Sequence, residues 1–406
     1  MRDKVENIIL FAFSPILSLM LSVRNVYYNK YCVYLIGAFF SIFGAFLPPI
    51  SDAYRYRYTY YHSCDYSISL QSLWTTERDF LYPLLSRMFC TAGIPFEYFR
   101  FLLLLGCYSL YCWMFLDIVK VNPAIKDNKK VFLLAVLALF MSIRFFTLTT
   151  GIRFGVASTI VVVAVYMVYK RKFISACVLY MISMAMHFSM LVFAPFTIIA
   201  IMLSRVSIPS GVKYIIILVV LMTSQTAIGG IITALFPDNE LVTTKVAAYV
   251  EGNWGTASLL KHASVGGLAF TLVRILPVIP LTIIIYKRQQ VDNFLANICF
   301  LLLLLLCVSF SSYSILLRYS NVTIAVLFVA LLLTTTDSKR SLMDLKIALL
   351  SFIVMFASYA YSQRETLSRF EMHYRVILSP ISLVGDYTYT DKWIQDNIDR
   401  DGEYRK

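Results

Sequence analysis

The stretch TLTTGIRFGVASTIVVVAVYMVYKRKFISACVLYMISMAMHFS, residues 147–189, decides the fold class. From Ile152 to Tyr169 it carries no charge except Arg153, about the ~18 residues that a bilayer span needs, and it stops at Lys170-Arg171-Lys172. A second apolar run follows and leads to His187. The pattern predicts a helical hairpin across a membrane. Because Lys and Arg are retained on the cytoplasmic side, the tri-basic turn sets Arg153 and His187 together at the opposite, outer surface.

Arg153 is the informative residue of the pair. Thr149 or Thr150 is the expected cap and Gly151 the first helical residue, which sets Arg153 in the first turn. There the helix dipole is positive and a cation is mildly unfavourable, so helix stability alone does not select it. A guanidinium beside free N–H groups forms an anion site, and its fork matches phosphate oxygens in a bidentate way. The bland alternative is an interfacial arginine reaching towards water.

Of the 406 residues 59% are hydrophobic and the mean hydropathy is +0.72, which excludes a water-soluble globule and predicts a polytopic, all-α integral membrane protein. The net charge of +13 does not imply nucleic acid, because many of the Lys and Arg lie in short turns between apolar runs. Apolar runs at roughly 7–23, 31–50, 98–118, 131–149, 152–169, 173–188, 190–204, 212–236, 263–286, 294–313, 319–335 and 345–361 predict about twelve spans. Residues 1–23 resemble a signal sequence without a small-x-small cleavage site, so an uncleaved first span is expected. Basic turns alternate with turns poor in lysine, giving one consistent topology with both termini outside. The chain then reads as a transmembrane helical domain, 1–361, with outer loops at 51–97 and 237–262, followed by an extracytoplasmic tail, 362–406.

The residues with chemical interest fall on the outer side. The first outer loop holds Asp52, Arg55 within the aromatic run AYRYRYTYYH, and the acidic pair Glu77-Arg78-Asp79, of a kind that handles metals or phosphorylated sugars. Its segment DFLYPLLSRMF is amphipathic and about half a span long, suited to lying on or dipping into the outer leaflet. The second loop contains Tyr249, Glu251 and Trp254; such rings serve as interfacial belts or stack on sugar faces. Arg318-Tyr319 stands at the outer end of the tenth and eleventh spans. Arg274 lies inside the ninth, where an arginine costs ~2.5–3.5 kcal/mol on insertion scales and normally faces a polar cavity. Gly266, Gly267, Pro277 and Pro280 permit a broken helix around it. His187 is either a hydrogen-bonded packing residue or a proton acceptor.

Cysteines 32, 107, 112, 177, 299 and 307 fall inside apolar runs and read as small core residues. Cys64 and Cys90 lie in an outer loop, where one disulfide can form. No metal-type spacing such as CxxC occurs, and no metal or cofactor is expected.

Taken in order, Asp52-Ala-Tyr-Arg-Tyr, Glu77-Arg-Asp-Phe-Leu-Tyr-Pro-Leu-Leu, Gly151-Ile-Arg-Phe-Gly-Val-Ala, a basic turn, His187-Phe-Ser189, Arg274 before a proline-containing half-helix and Arg318-Tyr319 resemble the EpsG/Wzy-type polysaccharide polymerases of bacterial envelopes. The resemblance touches most of the chain and rests on order and topology. It departs at Phe154, where the family often has a polar residue, and after Glu77, where Gly or Pro is usual. It implies a glycosyltransferase of GT-C-like architecture in the bacterial inner membrane, its active site facing the periplasm. Such an enzyme transfers a growing glycan from undecaprenyl pyrophosphate onto the non-reducing end of another lipid-linked repeat unit. On this reading Arg153, Arg274 and Arg318 bind the donor pyrophosphate. His187 or Asp52 acts as the base, and Arg55, Glu77, Tyr249, Trp254 and Tyr319 contact substrate. Partners implied are the lipid-linked oligosaccharide, the bilayer, a flippase and a chain-length regulator, with no nucleic acid. A membrane-bound O-acyltransferase with His187 as base and a lipid-linked oligosaccharide flippase are the alternatives.

Overall fold

The computed structural model describes residues 9–64, 79–206, 208–222, 265–288, 292–310, 312–378 and 387–405. Among these the chain is helical, apart from turns and one isolated antiparallel bridge, Ile398 with Tyr404. The helices are α1 Pro15–Asn25, α2 Cys32–Ala45, α3 Asp52–His62, α4 Leu81–Thr91, α5 Phe96–Val121, α6 Lys129–Ser142, α7 Phe145–Thr150, α8 Ile152–Tyr169 and α9 Phe173–Met186. They continue with α10 Phe193–Leu203, α11 Ser210–Met222, α12 Val265–Ile275, α13 Val278–Tyr286, α14 Asn293–Val308, α15 Tyr313–Leu333, α16 Ser338–Ser362, α17 Met372–Leu378 and α18 Asp391–Asn397. Among the described residues five helical stretches are long and apolar enough to cross a membrane, Phe96–Val121, Ile152–Tyr169, Ala269–Tyr286, Tyr313–Leu333 and Ser338–Ser362, and five shorter apolar helices accompany them. This is an all-α membrane protein.

The chain divides into two compact units. The first comprises residues 1–191, 336–342 and 359–406. Its centre is α8, buried on all sides from Val156 to Val165, as expected of a helix with no polar face. The expected α8–α9 hairpin is present, and Arg171 adopts φ 59° in the tri-basic turn. Small residues bring its helices close. A Cβ on Gly37 of α2 would meet Tyr108 Cβ of α5 at 3.1 Å. Lys170 closes the lower end of α8 on Asp117 of α5 at 2.5 Å, and Tyr166 donates to the same carboxylate at 2.7 Å.

Several expected boundaries move. The apolar run at 131–149 is two helices, α6 and α7, with the break at Ile143-Arg144. Arg144 lies over the Tyr359 ring there, so its charge is accommodated by leaving the helix. The run at 31–50 is helical to Ala45, since Pro48-Pro49 cannot continue a helix. Cys32, Cys107, Cys112 and Cys299 are buried as expected, whereas Cys177 is exposed on α9.

The second unit comprises residues 192–335 and 343–358. Its α15 is buried from Val322 to Leu332. Arg288, at the end of α13, donates to Asp344 at 2.6 Å and to Thr334 and Thr335, so this buried charge is both paired and hydrogen-bonded. The expected break near Pro277 occurs: α12 ends at Ile275 and α13 begins at Val278.

Candidate functional site

The corner between α7 and α8 fixes Arg153. Thr149 and Thr150 donate their hydroxyls back to Phe146 O, at 3.1 and 2.8 Å, and so belong to α7. Gly151 is the residue before α8 and Ile152 the first within it, which corrects the expected cap while leaving Arg153 in the first turn. Leu148 lies directly against that turn. A Cβ on Gly155 would come within 2.8 Å of Leu148 Cα, so the second glycine of GIRFG is what lets the corner close.

The guanidinium does not remain alone in the positive field of the helix start. It forms an ion pair with Asp79, with side-chain exposures of 24% and 17%. The Tyr56 and Tyr82 rings flank it, with centroids 5.8 and 5.7 Å from Cζ. Tyr56 comes from α3 and Tyr82 from α4, the expected amphipathic segment, and the Cys64–Cys90 disulfide joins the ends of these two helices with a Cα–Cα distance of 5.8 Å. Burial pushes the Tyr82 phenol well up, so it stays protonated. Arg153 Nε is buried and finds no hydrogen-bond partner among the described residues.

His187 ends α9 in an extended conformation, its N–H donating to Ser183 O at 2.9 Å. Its ring stands edge-on to Phe154 at 5.6 Å. Nδ1 accepts the Ser189 N–H at 3.3 Å and lies 3.9 Å from Asp79 Oδ2. Asp79 Oδ1 accepts the Phe188 N–H at 2.6 Å. One carboxylate therefore touches the start of α8 and the end of α9. Arg153 and His187 do meet, and Asp79 is the residue that joins them. Sequence reasoning singled out the Glu77-x-Asp79 pair but gave its site role to Glu77. The signal for Asp79 was the uncompensated cation in the first turn of α8, which calls for an anion within reach.

Asp52 opens α3 and pairs with Arg55 at 3.7 Å, both side chains well exposed. One face of α3, Ala53, Arg57 and Tyr60, turns inwards. Arg57 donates to Asp391 Oδ1 at 2.9 Å and to Tyr389 O at 2.6 Å, and its Nε lies 3.9 Å from the fully buried Glu97. Arg100, also buried, donates to Ala45 O and Leu47 O. The C-terminal segment packs on this cluster. Tyr389, Ile394, Ile398 and Tyr404 form a small core with Ile50, and Ser51, held at φ 56°, donates its N–H to Gly402 O at 2.7 Å. Glu77, Tyr249, Glu251 and Trp254 lie outside the described residues.

In the second unit Arg274 donates to Tyr313 Oη at 2.9 Å and lies over the Phe270 ring. Arg318 is on α15, and the neighbouring Tyr319 packs edge-on against Phe193 at 5.6 Å. Among the described residues no group of three His, Cys, Asp or Glu is placed to hold a metal ion.

The EpsG family matches residues 29–375. Nothing among curated proteins or solved structures matches the chain. The family match reaches from before α2 into α17 and includes Asp79, Arg153 and His187, so the family's features and this site share one stretch of chain. The chain belongs to the EpsG family, membrane proteins of the polysaccharide-polymerase type.

Proposed function

We propose that this protein polymerises polysaccharide repeat units carried on undecaprenyl pyrophosphate at the outer face of the bacterial inner membrane. The acceptor hydroxyl of one unit attacks the anomeric carbon of the donor glycan. A glycosidic bond forms, the bond from that carbon to the pyrophosphate oxygen breaks, the electron pair leaves with the polyprenyl pyrophosphate, and the acceptor proton goes to a base. Arg153 neutralises the developing pyrophosphate charge, and His187 rather than Asp52 takes the proton, because His187 stands beside Arg153. Tyr56, part-exposed beside the guanidinium, offers a ring face for sugar, and the buried Tyr82 backs the site. The reading extends to about twelve spans in a GT-C-like arrangement, with a chain-length regulator and flippase as partners.

The observation that carries this reading is a part-exposed arginine in the first turn of a buried helix, set between two tyrosine rings and beside a histidine. It calls for an anionic ligand that also carries a hydrogen-bonding or ring-stacking group. The test is a purified-protein assay with a defined oligosaccharide on polyprenyl pyrophosphate. Wild type is expected to give a ladder of products and Arg153→Ala single units. Full-length ladders from a well-expressed Arg153→Ala protein would remove Arg153 from the mechanism. In cells, loss of one acyl group from polymer of normal length would point to an acyltransferase, and loss of all surface glycan to a flippase.

A further inference from the structure

Asp79 occupies the place where an anionic ligand of Arg153 would bind. The two tyrosine rings take the flanks of the guanidinium, and the carboxylate takes its Nη2 edge. A pair exposed to this degree is held by a modest Coulomb attraction, so a ligand with more charge and more oxygens can displace the carboxylate. Asp79 would not travel far, because the Phe188 N–H holds its other oxygen at 2.6 Å.

His187 is the next group within its reach. At 3.9 Å, Asp79 Oδ2 is too distant to hydrogen-bond Nδ1. In this arrangement Nδ1 accepts the Ser189 N–H at 3.3 Å and stands 3.2 Å from the Ser189 hydroxyl, which can donate to it as well, so the neutral imidazole that fits both contacts carries its proton on Nε2. A ring in that tautomer has no lone pair on Nε2 with which to accept a proton from a sugar hydroxyl. Were Asp79 to close on Nδ1, the stable neutral form would carry the proton there, and Nε2 would become the acceptor.

We propose that Asp79 is a positioning residue displaced by the donor. The pyrophosphate of the lipid-linked donor takes Arg153 from it, and the released carboxylate engages Nδ1–H of His187, turning Nε2 towards proton acceptance. One proton leaves Nε2 for water and one is taken up at Nδ1, so the charge of the imidazole does not change. This rests on the polymerase reading and adds to it the order of events: the base forms only once the donor is bound, which protects the donor from premature hydrolysis.

Two measurements on Asp79→Asn, a variant of nearly the same size, test it. Affinity for farnesyl pyrophosphate and for inorganic pyrophosphate is expected to rise about fivefold, the scale of the ion pair removed. The kcat for polymer formation is expected to fall about a hundredfold without a rise in KM, and Asp79→Glu to recover most of it. A purely structural role would instead weaken probe binding, raise KM and lower the thermal midpoint together. Unchanged or weaker pyrophosphate binding by an Asp79→Asn protein with wild-type elution and midpoint overturns the proposal. The probes carry no sugar, so the two readings fail separately. Tighter probe binding with a wild type that never polymerises would end the polymerase reading alone, and polymer formation with unaltered probe affinity would end the displacement alone.

Discussion

Replacing Arg57 by Met removes the charge of a side chain that ties three segments together while keeping much of its volume. Its side chain is 9% exposed, that of Glu97 is 0% and that of Asp391 is 80%. These burials rank the interactions. The Asp391 pair is at the surface end and contributes about 0–1 kcal/mol. Glu97, fully buried, would keep Arg100 as its remaining cation, so losing Arg57 costs it about 1–3 kcal/mol. Tyr389 O would lose a buried donor, about 1–3 kcal/mol, and the two losses overlap because they share one guanidinium. The expected net loss is therefore about 2–4 kcal/mol, which lowers the thermal midpoint on the order of 4–8 °C. Asp391→Asn should lower it by less than about 2 °C by the same scale. The double variant Arg57→Met/Glu97→Gln should regain part of the loss, about 1 kcal/mol or more, since the under-compensated buried carboxylate is gone. Fluorescence-detected size exclusion of heated, detergent-solubilised protein reads all three. An Asp391→Asn protein as unstable as Arg57→Met, or a double variant no better than the single, would refute the reasoning, because either result would place the energy outside the buried Arg57–Glu97 contact.

His373 on α17 is buried between Phe43 and Tyr374, and burial first, with the Arg100 charge second, holds its pKa down at about 4 against the usual 6.5. Its neutral form is favoured by folding, so stability is full above pH ~6.5, falls by about 3 kcal/mol as pH drops to about 4, and changes no further below; His373→Phe should flatten the midpoint-versus-pH curve across that window. The Cys64–Cys90 link closes a loop of 26 residues and is expected to stabilise by about 3 kcal/mol. Both thiols should resist maleimide-polyethylene glycol until reduced, and labelling without reductant in envelope preparations would refute the pairing. Gly155→Ala puts a methyl within 2.8 Å of Leu148 Cα and should cost about 1–3 kcal/mol, with polymer yield falling further than stability because Arg153 moves with the corner. Wild-type yield at wild-type stability would show that the corner tolerates opening.

What was legible in the sequence, and what was not, follows from the range over which each signal acts. The α8–α9 hairpin needed only an apolar run, a basic turn and another apolar run, all local, and a two-helix hairpin necessarily returns its two far ends to one side; hence Arg153 and His187 stand at one carboxylate, together as expected. The break at Pro277 was local too. The aromatic run of α3 was different: read as an interfacial belt it hides that Ala53, Arg57 and Tyr60 form one buried face, because their partners come from other segments, Phe96 and Phe99 of α5 for Tyr60 and, more than three hundred residues away, Tyr389 for Arg57. The i, i+4, i+7 spacing was there, but an arginine and a tyrosine do not signal burial without a partner. Asp79 combines both situations. Nothing local separates it from Glu77, since two acids one residue apart carry no periodicity. The separation comes from the far end of the pair. An arginine in the first turn of a buried helix faces the positive end of the dipole, which favours an anion beside it, and here that anion comes from another segment. The cation of GIRFG thus has its counter-charge in the loop before α4. That placement also explains why the same carboxylate reaches His187: an anion that caps the start of one arm of a hairpin lies, by the closeness of the two arms, beside the end of the other.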